Sequence, residues 1–261
     1  MNQITMDENA VRTLVSTVEL IAATLDTAPH SWRDHLQSIR NITAVLEFSD
    51  THPEESRRQW QLPLVTVFQR VAYADADSGG VYDIANWCLK EAVTLLQIYP
   101  DDIELLTLIG QNWLFRAQKS LAKIHFSEQS PTSSGGSQCV PLSASEEDRQ
   151  MRRNNAEAES RLHLSDYVEA RGILLPAVEY LKRAADAART QDKTTGELLS
   201  TVSHDAYLVS SIITDVQEQA AEAYMSLGNV SSARMNGQYF RQALAYLRTA
   251  SELPGYALPL L

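Results

Sequence analysis

DIANWCLKEAVTLLQIYPDDIELLTLIGQNWLFRAQKSLAKIHFSE, residues 83–128, holds two apolar helical patterns that meet at Pro100. In the first, Ile84, Trp87, Cys88, Ala92, Leu95, Leu96 and Tyr99 recur at the three-and-four spacing that places side chains on one face of a helix. Pro100 has no amide donor and disfavours helical geometry in the residue before it, so this helix is expected to stop at Tyr99. Asp101 and Asp102 then suit the start of a second helix, where a carboxylate can accept from free amides and meets the positive end of the helix dipole. That helix carries Leu105, Leu106, Ile109, Gly110, Trp113, Leu114, Ala117, Leu121 and Ile124 inward and leaves Gln111, Lys119 and Lys123 for water. An interior glycine costs a helix about 1 kcal/mol relative to alanine, and Gly110 is therefore read as a point of close helix approach.

Helical period returns on both sides of this stretch. Val11, Leu14, Val15, Val18, Ile21, Ala22 and Leu25 predict a first helix, which Thr5 and Glu8 can start as a capping box. A break at Pro29 separates it from a second helix capped by Ser31, and the two are expected to form an antiparallel hairpin. Trp60, Leu64, Val67, Phe68, Val71 and Ala72 give a third face, in which Pro63 should kink or restart the helix. Residues 127–155 are rich in Ser, Gly, Pro and charge and are read as a disordered insertion. Ser130 precedes a proline and Ser145 precedes an acidic run, which makes both candidate phosphorylation sites. Beyond it, Leu162, Leu164, Tyr167, Ala170, Ile173 and Leu174 lead to Pro176 and a small-residue face of Ala177, Leu181, Ala184, Ala185 and Ala188. Tyr224, Leu227 and Gly228 close another helix, and Phe240, Ala243, Leu244, Leu247 and Ala250 make its partner after a turn read as Ser231 to Gly237.

Leu106, Ile109, Gly110 and Trp113, after a Pro-Asp turn, resemble the large, large, glycine, aromatic order of the first helix of a tetratricopeptide repeat. Ala122 and Phe126 match the small and aromatic positions of that repeat's second helix. No turn residue separates them from Trp113, which leaves a single long helix and a hairpin both open. Tyr224 and Gly228, with Ala243, Leu247 and Ala250, resemble a second repeat. The resemblance implies an all-α fold of antiparallel helix pairs stacked as a tetratricopeptide-like α-solenoid around a disordered internal loop. N-terminal hairpins would occupy residues 1–127, the loop 128–155 and repeat-like helices 156–261. It also implies a non-catalytic scaffold or adaptor that presents a concave helical surface to a protein or peptide partner. An accessory factor or enzyme of a small-molecule biosynthetic pathway is the alternative, and an embedded subunit of a larger assembly is another.

Composition narrows the classes. The chain of 261 residues is 44% apolar with only ten glycines and nine prolines, enough for a substantial helical core. A net charge of −11 argues against binding a nucleic-acid backbone. No stretch approaches the roughly 20 apolar residues that span a bilayer, so no membrane partner is expected, and the location is read as cytoplasmic or nuclear. Two cysteines, Cys88 and Cys139, are too few and too differently placed for a disulfide framework. The six histidines lack partners at metal-ligand spacing, and no glycine-rich phosphate loop or nucleophile elbow occurs. No catalytic residue, cofactor or metal is therefore expected.

One segment has a different texture. Val202 to Gln217, VSHDAYLVSSIITDVQ, interrupts Ala-, Glu- and Leu-rich flanks, and its removal joins Thr201 to Glu218 in GELLSTEQAAEAYMSLGN. Its codons can hold GTAAGT, CTGAC and CAG, the signals of a short intron. Translated intron and ordinary helical or strand-like insertion are both open from the sequence.

Overall fold

The computed structural model describes residues 8–48, 55–129, 144–196 and 203–253. Among these the protein is all-helical, with α1 Glu8–Thr27, a 3-10 segment Pro29–His35, α2 Leu36–Phe48, α3 Glu55–Ala72, α4 Tyr82–Ile98, α5 Ile103–Gln129, α6 Ala144–Arg161, α7 Ser165–Gly196, α8 Ser203–Asn229 and α9 Ala233–Ser251. α3 packs on α4, α5 on α7 and α8 on α9, while α4 also meets α5 and α7 also meets α8. The paired helices run antiparallel: Ser120 and Lys123 of α5 reach Glu169 and Asp166 of α7, and Tyr224 of α8 stacks on Tyr246 of α9. One hydrophobic core runs through the stack from Val18 of α1 to Tyr246 of α9.

The turn at Pro100 forms as its residues dictate. α4 ends at Ile98, the Tyr99 amide donates to the Leu95 carbonyl, and Asp102 Oδ1 accepts from the Leu105 amide at 3.0 Å as the cap of α5. From there α5 is one unbroken helix to Gln129, so Ala122 and Phe126 do not begin a second element, and Phe126 is exposed. Gly110 lies where α5 crosses α7. A Cβ there would stand 2.5 Å from Leu181 Cγ and 3.2 Å from the Leu181 backbone nitrogen. At Gly228 a Cβ would stand 2.7 Å from the Phe240 ring. Leu106, Ile109, Tyr224, Ala243 and Ala250 are buried, with Trp113 and Leu247 packed partly buried against the core.

Other expectations change. α1 and α2 do not close a plain hairpin, because the 3-10 segment intervenes and packs on α1, α2 and α3 alike. Of the two outcomes expected at Pro63 the restart does not occur, since α3 continues through it, as α7 does through Pro176. Residues 144–155, expected in the disordered loop, belong to α6, whose polar side chains from Ser145 to Ser160 are exposed. The turn between α8 and α9 is only Val230 to Ser232, shorter than the sequence suggested, and Arg171 donates to the Val230 carbonyl beside it at 2.7 Å. Leu164 and Leu244, assigned to apolar faces, are about half exposed. Residues 203–217 form the first half of α8 and are continuous with its second half. Thr5, Ser130 and Cys139 lie outside the described residues, and Ser145 is on the exposed surface of α6.

Polar residues pin the α3–α4–α5 layer. Asn112 is fully buried, and its amide donates to Gln69 Oε1 and the Ala85 carbonyl while its carbonyl accepts from Tyr73 and Arg116. Gln69 in turn donates to the Leu108 carbonyl. Both donors and both acceptors of Asn112 are used, so burial leaves none of its groups unsatisfied. A second buried site joins α3 to α4, where Arg57 and Gln61 both meet Glu91. Burial pulls the Arg57 guanidinium below its usual range, and Glu91 opposes that effect.

Candidate functional site

Three helices, α3, α5 and α8, leave a trough between them. From α3, Gln59, Leu62, Pro63 and Thr66 face it; from α5, Glu104, Thr107, Leu108 and Gln111; from α8, Ile212, Asp215, Val216 and Gln219. Each set has the spacing i, i+3, i+4, i+7, a complete helical stripe two turns long. Together with Arg58 and Val67 they enclose 550 Å³, within the range of about 300–1,000 Å³ usual for ligand sites. A further 200 Å³ continues the trough past Arg58, Glu104 and Ile212 to Ile103, Ile213 and Ala188.

The floor is aliphatic, from Leu62, Pro63, Val67, Leu108 and Val216, with Ile212 at the rim 37% exposed. Two threonines add to it. Thr66 donates its hydroxyl to the Leu62 carbonyl and Thr107 to the Ile103 carbonyl, so each turns its polar atom into its own helix. Charge collects at one end. Arg58 reaches both Asp102 and Glu104, and the hydrogen bond to Asp102 is the main reason its guanidinium is held above its usual pKa. On the opposite wall Asp215 is exposed and has no ion-pair partner among the described residues, and partial desolvation by its neighbours pushes its carboxyl above the usual range. Gln219 Oε1 is shielded from water and accepts no hydrogen bond from the described residues.

A cleft of 710 Å³ at the other side, between the ends of α5 and α6 and the start of α9, is lined by polar residues such as Asn155, Arg161, Asn229 and Asn236. It lacks an aliphatic floor. Among the described residues no group of three His, Cys, Asp or Glu could hold a metal, and no helix is long and apolar enough to cross a membrane. Cys88 is fully buried, and burial drives its thiol far above the usual pKa, which leaves it a packing residue rather than a nucleophile.

The trough and the repeat-packing residues read from the sequence are different sets. Leu106, Ile109, Gly110, Tyr224 and Gly228 hold helices together, whereas Thr66, Thr107, Asp215 and Gln219, which face the trough, carry no signal of their own. Each trough stripe mixes polar and apolar residues and becomes a surface only when three helices are placed side by side. The chain matches no protein-family model, no curated protein and no solved structure.

Proposed function

We propose that the protein is a non-catalytic interaction scaffold, a tetratricopeptide-like stack of helix pairs whose helices α3, α5 and α8 receive a peptide or helix of a protein partner. The observation that carries this reading is the convergence of three i, i+3, i+4, i+7 stripes on one trough. The pairing of α3 with α4, α5 with α7 and α8 with α9, with Gly110 and Gly228 each at a close approach within a pair, supports the repeat-like arrangement. A groove with an aliphatic floor and polar ends is the form in which helical surfaces take up partner helices.

The test is affinity purification with the tagged full chain and two variants that each place an arginine on an exposed position. A stoichiometric partner should be recovered with the unaltered chain and with Leu244→Arg on α9, and should be lost with Ile212→Arg in the trough. Retention of that partner by Ile212→Arg would remove the trough from its role.

A second reading, an embedded subunit of a larger assembly, has its own observation. Leu164 just before α7 and Val168 and Leu175 along one side of it are each more than half exposed, and Gly172 among them has open space where a Cβ would be. If this side is an interface, Val168→Arg rather than Ile212→Arg should release the partner.

A further inference from the structure

The trough has the dimensions and the charge of a seat for one particular kind of chain. Each of its three stripes covers about 10 Å of helix axis, and a single α-helix with side chains is about 10 Å across. A fourth helix laid among α3, α5 and α8 would meet all three stripes. The lining holds three carboxylates, Asp102, Glu104 and Asp215, against one guanidinium, Arg58. Arg58 is already engaged by Asp102 and Glu104 and does not reach across to Asp215. A carboxylate without a counter-charge beside an aliphatic floor asks for an occupant that brings positive charge on an apolar body.

Resting on the peptide-groove reading above, we propose that the occupant is a basic amphipathic helix of a partner protein. Its aliphatic side chains lie on Leu62, Leu108 and Val216, and a lysine or arginine meets Asp215. The acidic net charge of the whole chain, −11, steers such a segment toward the protein. Asp215 gains there the counter-charge that no described residue supplies. Asp215 is exposed on the trough wall in the free protein, so Asp215→Asn should weaken binding while leaving the thermal midpoint of the free protein nearly unchanged; a residue with a purely structural role would move the midpoint.

The experiment uses the full chain and two fluorescein-labelled synthetic peptides, each about five helical turns long, followed by fluorescence anisotropy. Both carry leucines at i, i+3, i+4 and i+7; one has lysines at its remaining positions and the other glutamates. The lysine peptide should bind, less tightly as salt rises from about 50 to about 500 mM, and the glutamate peptide should not. Asp215→Asn should weaken the lysine peptide by about three- to tenfold, whereas Asp148→Asn on exposed α6, the same change in net charge, should leave it unaltered. Equal binding of the two peptides, or an Asp215→Asn protein that binds like the unaltered one, overturns the basic-helix proposal. If Ile212→Arg still abolishes binding in that case, the groove reading survives without it. Binding of either peptide that Ile212→Arg leaves unchanged overturns the groove reading itself. A chain that sediments as a dimer, and as a monomer once Ile212 is arginine, assigns the trough to a second copy and overturns the proposal as well.

Discussion

Gly110 and Gly172 are both interior helix glycines, and they should respond to alanine in opposite ways. At either site alanine gains about 1 kcal/mol of helix propensity. At Gly110 the new Cβ would press on Leu181 at its branch point and its backbone, neither of which is a flexible end. Overpacking of this kind costs about 1–3 kcal/mol, so Gly110→Ala should lower the thermal midpoint and Gly110→Leu should lower it further. At Gly172 no atom stands within 4 Å, and Gly172→Ala should raise the midpoint. Equal shifts in the two alanine variants would mean that α5 and α7 do not approach as described. Tyr73 gives a second test at this scale. Burial, against the opposing effect of Arg116, pushes its phenol up to about 12, whereas in the unfolded chain it ionises near 10. Between those values the unfolded state gives up its proton first, so the contribution is intact below about pH 10 and is lost as pH rises toward 12, at about 1.4 kcal/mol per unit. Urea midpoints should therefore fall more steeply above about pH 10 in the native chain than in Tyr73→Phe. Parallel curves for the two would show that the phenol is not shielded.

Among the elements, α8 is the one the sequence described least well. Its second half was legible because Tyr224, Leu227 and Gly228 keep helical period, and α4 and α5 were legible for the same reason, with Pro100 and Asp102 marking the boundary. The first half, with its Val, Ser, Ile and Thr, has lower intrinsic helix preference, and tertiary packing decides it. Ile213, Val216 and Gln217 are buried, and Ile212 and Asp215 form a wall of the trough; the side chains of Tyr207, Leu208 and Val209 lie outside the described residues. Sequence reading also missed Asn112 and Gln69, since a buried amide looks like a solvated one until its partners on two other helices are in place. Deletion of Val202 to Gln217 would put Glu197 at the position of Ile213, Ser200 at that of Val216 and Thr201 at that of Gln217. Losing two buried aliphatic side chains costs more than about 4 kcal/mol, and Leu198 and Leu199 would fall instead on the positions of Thr214 and exposed Asp215. The shortened chain should accordingly be less soluble and melt lower than the full one, and transcript reads should cross these codons without a junction. A shortened form that melts higher, with reads joining Thr201 to Glu218, would restore the intron reading.

At the scale of the whole molecule, the N- and C-terminal halves separated in the sequence by the polar stretch share one core, because the long α5 of the first half packs along the long α7 of the second. The apolar contact runs from Gly110 against Leu181 to the far end of α5. It is closed there by the Lys123–Asp166 ion pair and by the bond from Tyr167 to Glu128. α6 takes little part in this: its side chains from Ser145 to Ser160 are exposed, and it carries Arg149, Arg152 and Arg153. Cutting the backbone within α6 leaves the α5–α7 interface whole, so the two fragments should remain bound through buried area rather than through chain connectivity. Brief trypsin treatment that cleaves at those arginines should yield two bands on a denaturing gel and a single peak on size exclusion. The helical circular dichroism should be unchanged, and the thermal transition should be single but dependent on protein concentration, as expected when folding and association are one event. Fragments that separate on the column, or two resolved transitions, would show that the halves fold as independent units and that the α5–α7 contact does not hold them together.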